Sequence, residues 1–190
     1  TNGTDTMYCL FIGKAIQTVN PPEGSVDTAQ LVDSSVTSAK IASGVLPTNT
    51  PLVAVRSSTS QTISTGTDTK VQLDTEMVDT DNTFDSSTNY RWSPGVAGKY
   101  YMTGTVSINI ASAGKYLQAK IFKNGSMVSF QQVVAEGTNN TYSATVDFID
   151  DNDGDDYYEL YIRQNTGSNS SLNSHAEAKY TRFFGYKLIT

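Results

Sequence analysis

From Lys99 the chain reads KYYMTGTVSINI, and its apolar positions recur every second residue. Tyr100, Met102, Gly104, Val106, Ile108 and Ile110 fall on one face. Tyr101, Thr103, Thr105, Ser107 and Asn109 fall on the other. A period of two sustained over eleven positions predicts a long strand with one face in a core and one face polar. The pattern returns in YLQAKIF (Leu117, Ala119, Ile121), in TYSATVDFI (Tyr142, Ala144, Val146, Phe148) and in YYELYIRQ (Tyr158, Leu160, Ile162). Between YLQAKIF and MVSFQQVVA stands Lys123-Asn124-Gly125-Ser126. Asn-Gly between two apolar runs predicts a tight hairpin, because both positions accept φ > 0. LVAVR at 52–56 and VQL at 71–73 supply shorter strands. Eight to ten strands with hardly a helix predict an all-β, antiparallel jelly-roll sandwich.

The last apolar stretch, KYTRFFGYKLI, breaks the one-sided rule. Tyr180, Phe184, Tyr186 and Leu188 are in step, and Phe183 and Ile189 lie on the other face. A strand apolar on both faces is either central in its sheet or covered by another subunit. Phe183 and Ile189 are therefore candidate intersubunit contacts.

Upstream of the long strands the pattern changes twice. Residues 1–24 hold one apolar run, 7–12, which stops at Pro21-Pro22. A lone strand is not stable in water, so this segment is expected to be the last strand of an upstream domain. Residues 25–50 begin with SVDTAQLVDS-SVTSAKIASG, a ten-residue phrase said twice: Val26 answers Val36, Ala29 answers Ala39 and Leu31 answers Ile41. The spacing fits neither strict alternation nor a heptad. It predicts a short extended piece at Ser-Val followed by about one helical turn. Asp27 or Thr28 would cap the first turn, and Thr37 or Ser38 the second. A unit this short cannot bury its own apolar groups, and such repeats gain stability by stacking, on themselves and between chains. Val26, Leu31, Val36 and Ile41 are thus candidate contacts of a short stalk, and residues 51–190 form the head.

Composition narrows the function. The chain has 25 Thr, 21 Ser and 14 Gly, with 37% hydrophobic and 17% charged residues. That suits short strands joined by polar turns. A net charge of −6 and a pI of 4.6 argue against nucleic acid and against an anionic membrane surface. The run 7–12 is too short to cross a bilayer, so no membrane insertion is expected. Cys9 is the only cysteine and rules out a disulfide within the chain; in its apolar run it reads as a small buried hydrophobe.

Candidate chemistry is sparse. His175, the sole histidine, stands in NSSLNSHAEAK without a nucleophile motif and reads as a surface-loop residue. No Gly-x-Ser-x-Gly elbow exists, nothing marks a carboxylate pair, and no enzymatic activity is expected. IDDNDGDDYY is the one metal-like constellation: Asp150, Asp151, Asp153, Asp155 and Asp156 crowd around Gly154. Hard oxygen ligands at this density suit Ca²⁺, while Asp, Asn and Gly are also the usual residues of a solvated turn. No other cofactor is suggested. Tyr101, Tyr157 and Tyr161 on outward faces suit sugar stacking or a subunit interface. Asn-x-Ser/Thr sites occur at Asn124 and Asn139.

The repeat resembles the "SVTTAKLADG"-type stalk units of bacteriophage tail fibres, and TDTMYCLFIGKAIQTVNPP is similar to the segment that precedes them. From about Leu52, RWSPGVAGKYYMTGTVSI, KIFKNGS and the closing RFFGYKLI resemble the tumour-necrosis-factor and complement-head jelly rolls. Here Val96-Ala97 is inserted in the opening motif, and the complement-type cysteines are absent. The resemblance implies a homotrimer, with the final strands near the threefold axis. It further implies a virion location, other virion tail components as partners, and attachment of the particle to a host-surface glycan or outer-membrane protein. A structural connector of the virion without receptor contact is the alternative.

Overall fold

The computed structural model describes residues 23, 26, 28–29, 31–42, 48–173 and 180–189. The expected strand at 7–12, Cys9 and His175 lie outside the described residues. Contacts divide the chain into two units, Thr1–Leu46 and Pro47–Thr190.

In the first unit, the second repeat takes the extended-then-turn form. Thr37 is extended (φ −98°, ψ 162°), and Ser38–Lys40 makes one 3₁₀ turn. The Lys40 N–H donates to the Thr37 carbonyl at 2.8 Å. Thr37 sits at the capping position but makes no side-chain cap bond. Instead the Lys40 ammonium reaches the Ser35 carbonyl at 2.6 Å. Val26, Leu31, Val32 and Val36 are exposed, and Ile41 is half-buried.

The second unit, the head, contains thirteen strands among its described residues. They are β1 (Leu52–Arg56), β2 (Thr62–Ile63), β3 (Thr69–Lys70), β4 (Thr75–Asp79), β5 (Phe84–Asp85), β6 (Arg91–Trp92), β7 (Gly98–Ile110), β8 (Tyr116–Lys123), β9 (Ser126–Val134), β10 (Asn140–Asn152), β11 (Tyr158–Gln164), β12 (Ser170–Ser171) and β13 (Arg182–Lys187). One sheet runs β10-β7-β13-β1-β4. The facing sheet runs β5-β6-β11-β8-β9, with β3 also on β11, and β12 pairs β2. The named strand pairs are antiparallel.

The predicted phases hold in the long strands. Tyr100, Met102, Val106, Ile108 and Ile110 of β7 are buried, as are Leu117, Ala119 and Ile121 of β8 and Tyr158, Leu160 and Ile162 of β11. Burying each of the larger aliphatic side chains among them contributes about 1.5–3 kcal/mol. The β8–β9 turn has Asn124 at φ 50° and Gly125 at φ 78°, the left-handed pair that lets a two-residue turn follow strand twist.

The phase of β13 turns Phe183 into the head's own core rather than outward. This strand is central, between β7 and β1, and Phe183 is 1% exposed within its own head. Its ring packs 6.2 Å from that of Trp92, which also meets Tyr100 edge-on at 5.4 Å. The Trp92 indole N–H donates to the Thr83 hydroxyl at 2.9 Å. Gly185 shares the inward face, and a Cβ there would overlap the six-membered ring of Trp92. The glycine in RFFGYKL is thus the space that the tryptophan of RWSPG fills. Ile189, beyond the strand, is 52% exposed.

Candidate binding surfaces of the head

Strand register orders the head from end to end. The main chain enters at β1, where the Lys187 N–H donates to the Pro51 carbonyl at 3.2 Å and the Asn49 side-chain amide to the Lys187 carbonyl at 3.1 Å. Leu52 pairs with Tyr186, Tyr186 with Tyr101, and Tyr101 with Ile149. That row marks the entry end. The acidic turn after β10 lies here too, because Asp150 pairs with Tyr100 and Asp151 with Lys99.

The five aspartates of this turn do not group around one point: the chain's own lysines and backbone amides engage them. Alternation along β10 turns Asp150 and Asn152 one way and Asp151 the other. Asp150 and Asp156 both meet the Lys123 ammonium, at 2.6 and 2.8 Å, so the chain's own cation stands between them. Asp151 pairs with Lys99 at 3.3 Å. Asp153 accepts the Asp155 N–H at 3.0 Å, and Gly154 (φ 105°) lets the turn close. Among the described residues no three His, Cys, Asp or Glu side chains group as metal ligands. Burial raises the Asp156 carboxyl, but the Lys123 ammonium and the Asn124 amide outweigh it and hold it below the usual range. Burial likewise lowers the Lys123 ammonium, and the two carboxylates outweigh that and raise it. Burial, then the hydrogen bond it donates to Asp150, push the Tyr158 phenol far up, so it stays protonated. The cluster is a structural lock on the turn.

The outward face of the five-stranded sheet is apolar near the entry end. Leu52, Tyr186, Tyr101 and Ile149 form one cross-strand row, and Val78, Ala54 and Phe184 form the next. Tyr101 and Tyr186 lie 5.6 Å apart, and the Tyr101 hydroxyl donates to Asp147 at 2.8 Å. Ile149 is 62% exposed. A second exposed apolar group, Met127, Phe130 and Val134, lies on β9, the edge strand of the facing sheet. Tyr157 and Tyr161 are engaged within the head: Arg91 covers the Tyr157 ring at 4.5 Å, and Phe122 stacks on Tyr161 at 4.1 Å. The Asn124 side chain is engaged too, donating to Asp156 and accepting from the Tyr157 N–H.

At the far end, eight residues along β7 from Tyr101, two adjoining depressions share Asn109, Ser171 and Asn173. At about 3.3 Å per residue this lies roughly 25 Å from the entry row. The depressions hold about 270 and 330 Å³. One is bounded by Ser112 and the 166–171 segment, the other by Ser60, Thr141 and Tyr180. The Thr141 hydroxyl donates to the Asn109 side-chain carbonyl at 2.6 Å, and the Asn173 amide reaches the same oxygen at 3.4 Å. Fully buried Gln164 anchors the rim, donating to the carbonyls of Ile63 and Ser168 at 3.0 and 2.9 Å and accepting the Thr166 N–H at 2.6 Å. Asn109 and Tyr180 belong to predicted strands, but the strand pattern marked neither as a site. The local signal is the Ser/Asn-rich run TGSNSSLN at 166–173.

No protein-family model and no curated protein sequence matches the chain. Solved structures do. The chain is similar to Eiger TNF from S. frugiperda (TM-score 0.56, 8% identity, covering 73% of this chain and 92% of that one). It is similar to murine APRIL (0.54, 11% identity, 72% and 98%), and to the globular domain of zebrafish complement 1qA (0.50, 12% identity, 73% and 98%). At such identities the likeness shows the fold: the head is an antiparallel jelly roll of the tumour-necrosis-factor and complement-head type.

Proposed function

We propose that the chain is the distal part of a bacteriophage tail fibre or spike, a homotrimer that attaches the particle to its host by multivalent contact. The observation that carries the trimer is the apolar row Leu52, Tyr186, Tyr101 and Ile149 on the outward face of the five-stranded sheet. Half-buried aromatic rings on a sheet face suit the central part of an interface. A closed ring needs two different complementary patches per copy, and Met127, Phe130 and Val134 on the β9 edge supply the second. The exposed Val26, Leu31, Val32 and Val36 of the repeat suit contacts between copies in a stalk. The resemblance of SVDTAQLVDS-SVTSAKIASG to phage stalk repeats supports the virion setting, and the jelly-roll head supports a binding role. Three weak sites per fibre, and several fibres per particle, raise avidity without tight single contacts. The ligand is a host-surface glycan, with an outer-membrane protein as the competing class.

The test is to determine the mass of the purified chain in solution, then its binding to intact host cells and its competition with phage adsorption. A trimer that binds cells and blocks adsorption is expected. A monomer overturns the trimer. A stable trimer that neither binds nor competes overturns attachment and leaves a structural connector.

A further inference from the structure

The β8–β9 turn places an asparagine directly before a glycine, Asn124-Gly125. Glycine has no side chain to shield its backbone nitrogen. In an unfolded chain that nitrogen can reach the side-chain carbonyl of the asparagine before it. It gives up its proton to solvent base and bonds to Cγ of Asn124. The Cγ–Nδ2 bond breaks, and Nδ2 leaves as ammonia, taking a proton from water. Water then opens the five-membered imide at either carbonyl and gives aspartate or isoaspartate. Water is the one co-reactant, and both residues of the turn are exposed to it.

The fold holds both ends of that amide. Nδ2 donates to the Asp156 carboxylate at 2.7 Å, and Oδ1 accepts the Tyr157 N–H at 3.0 Å. The Asn124 backbone N–H is fixed as well, to the Tyr157 carbonyl at 3.1 Å. These partners lie just before β11, on a different segment from the turn. Asp156 is itself 5% exposed and held by the Lys123 ammonium at 2.8 Å. Attack requires the amide to rotate onto the Gly125 nitrogen, and that rotation breaks both side-chain bonds. We infer that Asn124 is a deamidation site that the folded head keeps shut, and that its conversion marks heads whose β8–β9 hairpin has opened. β9 is the edge strand of its sheet, paired with β8, so this hairpin can open without the rest of the sandwich. The product cannot restore the lock. A carboxylate oxygen would stand where the amide donated, against the carboxylate of Asp156. Isoaspartate would also add a backbone carbon to a two-residue turn whose length sets the strand register. The change is one-way: a head that has opened and reacted closes less firmly than before.

The experiment incubates the full 190-residue chain in mildly alkaline buffer, with and without unfolding urea. Digestion and mass spectrometry follow the mass gained when an amide becomes an acid, and chromatography separates isoaspartate from aspartate. Asn2-Gly3 is the same dipeptide, is read in the same digest, and calibrates the chemistry in urea. The expected result is conversion of Asn2 and Asn124 alike in urea, with Asn124 at least about tenfold slower when urea is left out. Equal rates at Asn124 with and without urea overturn the protection. An Asn124 that stays intact in urea while Asn2 converts overturns the site. Asn124→Asp supplies the product directly. It should melt below the wild type at neutral pH, and the deficit should narrow as pH falls and one of the facing carboxylates takes up a proton. A variant that melts with the wild type at neutral pH overturns the one-way consequence.

Discussion

Gly185→Ala should destabilise the head through a single ring. Two opposing effects act at this position. Glycine in a strand costs folding entropy, and replacing it by alanine at a tolerant site stabilises by about 0.4–1 kcal/mol through the unfolded chain. Here the new methyl would lie 2.8 Å from Cε3 and Cη2 of Trp92, and nearer still to Cζ3. The indole cannot yield cheaply. Its N–H is bound to Thr83 at 2.9 Å, its ring is braced by Tyr100 and Phe183, and it is fully buried. Overpacking a rigid site costs about 1–3 kcal/mol, and the upper part of that range applies where no flexible side chain can move away. The clash therefore wins, with a net loss of about 2 kcal/mol, or a fall in Tm of roughly 4–8 °C for a domain of this size. Calorimetry and urea unfolding at fixed protein concentration measure it. Trp92→Phe removes the atoms that clash and alone costs about 2–3 kcal/mol for the cavity and the lost hydrogen bond. The double variant should then be less destabilised than the sum of the singles by about 1–2 kcal/mol. Alanine at 185 that proves neutral or stabilising, or two losses that add to within about 0.5 kcal/mol, would refute the interlock.

The other predictions concern charge and assembly. Lys123→Met leaves Asp150 and Asp156 facing each other and should cost about 2–3 kcal/mol at pH 7, discounted from a fully buried pair because Lys123 is partly exposed. In the wild type the depressed Asp156 carboxyl contributes stability above the free value near 4 and loses it as pH falls further. The raised Lys123 ammonium contributes below its free value near 10.5 and loses it as pH rises through the folded one. The variant lacks the cation, so its deficit should shrink from pH 7 to 4; a deficit constant with pH in parallel urea titrations would contradict this. EDTA should leave the wild-type melting curve unmoved, since Lys123 already holds the two convergent aspartates; a downward shift would favour the calcium reading instead. Burial and Asp81 push the Tyr100 phenol up to about 12, so the native state keeps a proton that the unfolded chain releases above about 10. Stability should fall between pH 10 and 12, and Tyr100→Phe should flatten part of that slope; an unchanged slope argues against it. Tyr186→Asp, in the middle of the apolar row, should weaken the trimer at least about thirtyfold, from a loss of roughly 2 kcal/mol per interface. Its far-UV spectrum should keep the head's sheets. Leu31→Asp or Ile41→Asp should loosen association through the repeats alone. Sedimentation at several concentrations decides both.

Much of the sandwich was legible because its longest strands bury one face and wet the other. Period two then fixes both strand and phase, as in Tyr100 to Ile110 and in Tyr158 to Ile162. The Asn124-Gly125 turn was legible because its left-handed angles demand particular residues. The phase of β13 was not. FFGYKL offers apolar groups to both sides, and what decides is that Gly185 must face Trp92, a partner far upstream that no local pattern shows. The arrangement of the acidic turn was hidden for a related reason. Counting aspartates ignores that neighbours on a strand point apart, and that Lys123 arrives from the hairpin beside them. The far-end depressions drew one local hint, the TGSNSSLN run. Ser60, Asn109, Ser112 and Thr141 reach them only through the jelly-roll crossings.

The placement of β1 also decides how the head bears a pull. It is hydrogen-bonded on both sides, to β13 and to β4, and the main chain arrives at its Leu52 end. A pull from there against the far end of the neighbouring strands runs along the strands, at right angles to the ladder bonds. Those bonds then share the load in shear and must fail together, where a pull across the sheet would open them one at a time.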